Sequence, residues 1–219
     1  MSKDTKILNL ISSLQFLSKH KIPIPKFELA KTSQQAMKIA QKVGYPVAIK
    51  IVGPTVTHKT EVGGVQLNLA NERELKISSE DMLQNFKKKS RKSKIDGIIV
   101  HQMVKGGQEV IIGCKKDEQF GHVIMFGIGG IFTEIFNDVS FRMVPINRND
   151  AVTMIKEIKG YKILSGYRGK NYDIESLQEI LLKVSSLVIK NPKIKEMDIN
   201  PIIVSNKGAF AVDTRVILE

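Results

Sequence analysis

Gly44-Tyr45-Pro46-Val47-Ala48-Ile49-Lys50-Ile51-Val52 opens on chain punctuation and continues as a short β-branched run. Its length and lack of polar alternation predict a buried strand over Val47–Val52. One residue breaks the apolar pattern. Strand alternation puts Ala48, Lys50 and Val52 on one face and Val47, Ile49 and Ile51 on the other. An ammonium on such a strand needs an anion or a route to water, although an edge-strand lysine that discourages aggregation gives the same pattern.

Upstream of this strand, Thr32 to Val43 carries helical spacing and stops at Gly44, and Asp4 to Lys19 repeats Ile7, Leu10, Ile11, Leu14 and Leu17 before Pro23 and Pro25. Downstream, strands are expected at Val65–Leu69, Gly97–Met103, Glu109–Cys114, His122–Phe126, Ser140–Ile146, Ile194–Val204 and Phe210–Leu218. Helices are expected at Ser79–Lys92, Asn149–Lys159 and Ile174–Lys190. The alternation predicts an α/β protein of two lobes, divided where Gly106-Gly107 interrupts the pattern. We place an N-terminal helix in 1–21, a first lobe in 22–104 and a second in 105–219.

Lys and Arg outnumber Asp and Glu by 34 to 22, which suits polyanionic partners without choosing among nucleic acid, coenzyme A and nucleoside phosphates. The run from Lys87 to Lys94 accounts for part of the excess and reads as a solvated helix end, with too few aromatics for a nucleic-acid face. The one cysteine, Cys114, excludes an internal disulfide and fits a reducing, cytoplasmic setting. No apolar stretch approaches the roughly 18 residues of a membrane span.

Thr57-His58-Lys59-Thr60-Glu61-Val62-Gly63-Gly64 follows the lysine strand. Its glycines would let amides approach phosphate oxygens, but the spacing is not that of a P-loop. His58 is either a surface imidazole or a phosphoryl acceptor. His101 and His122 fall within strands and read as structural. Phe126-Gly-Ile-Gly-Gly-Ile-Phe-Thr-Glu134 is glycine-rich after a strand but lacks a dinucleotide fingerprint.

At the C-terminal end, Ser205-Asn206-Lys207-Gly208 reads as a hairpin turn. With an even-numbered loop, residue i faces residue 413 − i, which puts Asn200 opposite Asp213 and Asp198 opposite Arg215 on one face. Facing side chains lie about 5 Å apart. Asp198, Asn200 and Asp213 then form a set of hard oxygen ligands suited to Mg²⁺ shared with phosphate, or merely the wet face of a hairpin.

Taken together, Tyr45-Pro-Val-Ala-Ile-Lys50, His58-Lys-Thr-Glu-Val-Gly-Gly64, Glu109-Val-Ile-Ile-Gly113, Phe126–Glu134, Asp138-Val-Ser-Phe-Arg142, Gly166-Tyr-Arg-Gly169 and Asp198-Ile-Asn-Pro201 resemble, in order, the ATP-grasp β subunits of the ADP-forming acyl-CoA synthetases. The resemblance implies an ATP-grasp fold whose two lobes clamp a nucleotide. Lys50 would contact ATP phosphates, Gln102 and Val104 would present backbone groups to adenine, and Glu109 would serve the nucleotide from the second lobe. Asp198, Asn200 and Asp213 match positions that organise Mg²⁺ and phosphate. His58 matches a histidine that carries the phosphoryl group, with Lys59 beside it and Glu134 close to the same segment.

By the same resemblance the partner is a separate CoA-binding α subunit, in a hetero-oligomer such as α2β2. Neither membrane nor nucleic acid is an expected partner. Another ATP-grasp CoA ligase subunit of succinyl or malyl type, or a non-enzymatic basic nucleotide- or nucleic-acid-binding module, stays open at this point.

Overall fold

The computed structural model describes residues 5–53, 63–89, 95–130, 133 and 135–219, with no side-chain description for 87–89. Within these the chain forms two compact units, one of residues 25–104 and one joining residues up to Ile24 to Lys105–Glu219. The N-terminal helix belongs to the second of these units. That unit runs on through Ile22, Pro23 and Ile24, and the smaller one begins at Pro25.

In the smaller unit, β2 (Phe27–Ala30), β3 (Val47–Val52), β4 (Val65–Leu69) and β5 (Gly97–Gln102) form an antiparallel sheet in the order β2-β5-β3-β4. Helices α2 (Ser33–Val43) and α3 (Glu72–Lys89) cover one face. Ala36, Ile39, Ala40 and Val43 recur at helical spacing on α2 and pack with Val47, Ile49, Ile51, Ile98 and Val100. Thr32 caps α2 by accepting the Gln35 N–H at 3.2 Å, and Gly44 ends it at φ 86°. Helix α3 starts a full seven residues before the expected Ser79. Asn71 accepts the Glu74 N–H at 3.0 Å while the Glu74 carboxylate accepts the Ala70 N–H at 2.8 Å, a cap hidden in a polar Asn-Glu-Arg-Glu run.

The larger unit is built on a seven-stranded antiparallel sheet in the order β1-β11-β9-β6-β7-β8, with β10 also on β9. Its strands are β1 (Lys6–Ile7), β6 (Gln108–Asp117), β7 (Gly121–Ile128), β8 (Val139–Met143), β9 (Ile194–Ser205), β10 (Gly208–Ala211) and β11 (Arg215–Leu218). One face packs on α1 (Leu10–Lys19), α4 (Arg148–Glu157) and α6 (Ile174–Lys190), α5 (Tyr161–Leu164) being a single turn. Leu177, Ile180, Leu181, Val184, Leu187 and Val188 of α6 meet Val110, Ile112, Ile124, Phe126 and Ile199 in a single apolar core. Burying a side chain of this size contributes about 1.5–3 kcal/mol before entropy is charged against it. Asn147 and Asp150 form a capping box on α4. Among the described residues no helix is long and apolar enough to cross a membrane.

Two expected strands are shorter than read. The Ser140–Ile146 run pairs only over Val139–Met143. Phe210–Leu218 divides into β10 and β11 around Val212–Thr214, where the Thr214 hydroxyl donates to the Asp198 carbonyl at 2.9 Å.

Candidate active site

Lys50 lies on the face of the smaller sheet opposite α2 and α3, between its cross-strand partners Val65 and Ile99. Only 5% of it is exposed, and Ala48, Val52, Ile99 and His101 around it on that face are buried too. At the end of β5, the Gln102 and Met103 amides donate to the carbonyls of Lys26 and Pro46 at 3.1 and 3.2 Å. Donation to a base from this passage would therefore begin at Val104. His101 directs Nδ1 to the Gln102 carbonyl at 3.2 Å and His122 donates to the Ile194 carbonyl at 2.7 Å, consistent with structural roles.

In the larger unit the hairpin register is the one expected. Ser205 pairs with Gly208 across a two-residue turn, Ile202 with Ala211, and Asp198 with Arg215. The Asn200 amide donates to the Asp213 carbonyl at 3.1 Å, so these two face each other as well. Beyond Ile199 the strand carries an extra residue. Pairing with β6 slips between Val110 and Ile112, and the buried positions pass from Met197 and Ile199 to Ile202 and Val204. Asn200 and Pro201 are both left off the core, a bulge of the kind that re-aims side chains beside sites.

Three strands thus lay out a face away from the helices in cross-strand rows. Lys115 and Glu196 oppose each other, with Ile217 next to Glu196 on β11; Gly113, Asp198 and Arg215 form the neighbouring row. A cavity of about 450 Å³ opens here, lined by Gly113, Lys115, Val123, Met125, Phe141, Glu196 and Asp198 among others. Gly113 keeps its floor low, since a Cβ there would lie 3.2 Å from the Met125 methyl. Glu109 is exposed at the start of β6, opposite Ile203.

Burial pushes the Asp198 carboxyl above the usual carboxylate range; nearby Glu196 and Asp213 add to the rise and Arg215 opposes it. A carboxylate held so prefers a cation to none. Asp213 accepts the Thr214 N–H at 2.9 Å, which fixes its orientation. Among the described residues no group of three or more His, Cys, Asp or Glu converges as a closed metal cage. Two carboxylates and an amide oxygen fit Mg²⁺ held jointly with phosphates better than an ion held by protein alone. Glu196, Lys115 and the cavity went unread in the sequence, because the β6–β9 pairing that assembles them joins distant stretches of chain. His58, Lys59 and Glu134 lie outside the described residues, as does the basic run beyond the α3 backbone at Lys89.

A family model for the ATP-grasp domain matches residues 1–218. The β subunit of acetate–CoA ligase (ADP-forming) II from Pyrococcus furiosus is 48% identical over 94% of this chain and 89% of its own length. The chain belongs to the ATP-grasp β subunits of the ADP-forming acyl-CoA synthetases. Among solved structures, acetyl-coenzyme A synthetase 1 of Ca. Korarchaeum cryptofilum, with coenzyme A and Ca-AMPCP, superposes at a TM-score of 0.94, with 41% identity, over 98% of this chain and 94% of that one. A second structure of that synthetase, with coenzyme A and Mg-AMPPCP and its phosphohistidine segment pointing towards the nucleotide binding site, gives 0.86 at 39% identity over 98% and 93%. Membership makes this ATP-grasp subunit part of an acid–thiol ligase, which excludes the purely non-enzymatic alternative.

Proposed function

We propose that this β subunit binds ATP or ADP with Mg²⁺ and exchanges a phosphoryl group between the nucleotide and His58. With a CoA-binding α subunit it would interconvert acyl-CoA, ADP and phosphate with a free acid, coenzyme A and ATP, acetate being the acid its relatives' names favour. The observation that carries the reading is the hairpin register, which gathers Asp198, Asn200 and Asp213 on one face. The cavity beside them is of the size class that takes small ligands.

Each residue has a role in that scheme. Lys50, already desolvated in β3, supplies a positive charge to the phosphates without reorganising. Asp198, Asn200 and Asp213 would hold the Mg²⁺. The ion supplies neutralisation of phosphate charge during transfer. Backbone groups from Gln102 to Val104 line the base, and Glu109 the sugar end. In the ATP-forming direction, a phosphoryl group on a His58 ring nitrogen passes to the terminal oxygen of ADP. An O–P bond forms as the N–P bond breaks, and the imidazole regains its lone pair. Lys59 and Glu134 would position the imidazole and the group it carries.

Such a relay divides one difficult transfer between separated sites into easier covalent steps. The α subunit, in an α2β2 or similar assembly, would form the acyl phosphate, and the buried lone cysteine fits work in the cytoplasm. The test is labelling of the assembled complex with ³²P-ATP. Acid-labile, base-stable label should appear on His58, and His58→Ala should lose both label and acyl-CoA synthesis. Full synthesis by His58→Ala would refute the relay.

A further inference from the structure

Four arginines belong to the larger unit, and three of them are committed. Arg142 grips Glu157 at 2.8 and 2.7 Å, Arg148 reaches Glu175 at 2.6 Å and Glu179 at 3.0 Å, and Arg168 lies over the Tyr167 ring at 5.3 Å. Arg215 is different. It is exposed, stands directly opposite Asp198 on the face of the cavity, and makes no ion pair or hydrogen bond among the described residues. A facing Asp–Arg pair in an antiparallel ladder is close enough to join. Here the two make no ion pair within 4 Å; Arg215 acts on Asp198 only through its charge, and the guanidinium keeps its five-donor fork at the rim of an acidic site.

We infer that Arg215 grips the terminal phosphate of the bound nucleoside triphosphate. Charge favours this: two carboxylates match the metal, so a bound triphosphate brings an anionic surplus, and Lys115 and Arg215 are the cations in the two rows of this face. A guanidinium is suited to the surplus because it binds phosphate oxygens two at a time. Position favours the terminal group. With Glu109 at the sugar end of β6, the row of Gly113, Asp198 and Arg215 lies four residues further, roughly 13 Å along the strand. The assignment rests on the nucleotide reading above and adds a residue to it.

Calorimetric titration of the complex with its CoA-binding partner tests this, using AMPPCP and ADP separately, each with Mg²⁺. Arg215→Gln should weaken AMPPCP binding by roughly 10- to 100-fold, the scale of a lost charged hydrogen bond, and change ADP binding little. Arg215→Lys, which keeps charge but loses the fork, should fall between. Exposure of the residue makes folding insensitive to either change, and thermal melting checks that. Wild-type affinity for AMPPCP in Arg215→Gln would overturn the role, as would equal losses for AMPPCP and ADP. A wild-type complex that binds neither nucleotide would sink the nucleotide reading itself, and this one with it.

Discussion

The two sheets present charge in opposite ways. In the smaller unit a single ammonium, Lys50, sits on a face where Ala48, Val52, Ile99 and His101 are all buried. In the larger unit Glu109, Lys115, Asn200 and Arg215 are exposed on the face away from the helices, and Asp198 and Asp213 are half-buried. A buried cation is costly to hold and is fixed in place, so it acts without reorganisation. Half-exposed carboxylates keep access to water and to ions, so they can take up and release a metal together with its nucleotide. In the proposed site one sheet would therefore offer a fixed countercharge and the other an exchangeable one.

The largest expected effect is on the exchangeable side. Asp213→Asn keeps an acceptor for the Thr214 N–H and so spares the turn, but removes the charge. It should lower kcat/KM of the assembled ligase about 10³-fold, the scale of several kcal/mol of lost charge stabilisation, and abolish Mg²⁺ dependence of nucleotide binding. Unchanged turnover would break the comparison outright.

Lys50→Met comes next. The thioether chain fills the same space in β3 and removes a buried charge, so folding should hold while kcat falls about 10²- to 10³-fold. Combining the two sharpens the comparison. If both groups act on one phosphoryl transfer, the double variant should lose less than the product of the single losses. Multiplicative losses would mean that they serve different steps.

How far each side could be read from sequence follows from the range of its contacts. Lys50 stands out because one charge interrupts a run of β-branched residues, a purely local signal. The hairpin was legible for the same reason: the turn Asn206-Lys207 fixes a register from which Asp198–Arg215 and Asn200–Asp213 follow. Pro201 within a strand was a local sign of the bulge, but its partner strand was not deducible. Gly113 opposite Asp198 depends on β6 and β9 meeting across most of the larger unit, and periodicity carries no such information. Strand β2 was missed because four residues without a visible partner look like loop; it forms only by pairing with β5. For His58 the local segment leaves a surface imidazole and a phosphoryl acceptor both open, and the roles proposed for it and for Glu134 rest on family likeness.

The smallest effect marks the far edge of the open sheet. Arg142 on β8 holds Glu157 at the end of α4 through a bidentate pair, and the hydrogen bond from Arg142, followed by its charge, keeps the Glu157 carboxyl below its ordinary range. A lowered folded pKa means stability that is present above the unfolded pKa and is lost as pH falls through the folded one. Both side chains are about a third exposed, so solvent screening limits the contribution to about 1 kcal/mol or less. Glu157→Gln should lower Tm slightly at neutral pH and remove that part of the acid limb, so that variant and wild type converge as Glu157 protonates. Because this pair ties β8 to a helix on the core side, away from Asp198 and Asp213, nucleotide affinity should not move. A loss of affinity in Glu157→Gln would mean that the β8 edge feeds into the carboxylate rows, and that the open face is a coupled surface rather than a set of independently held ligands.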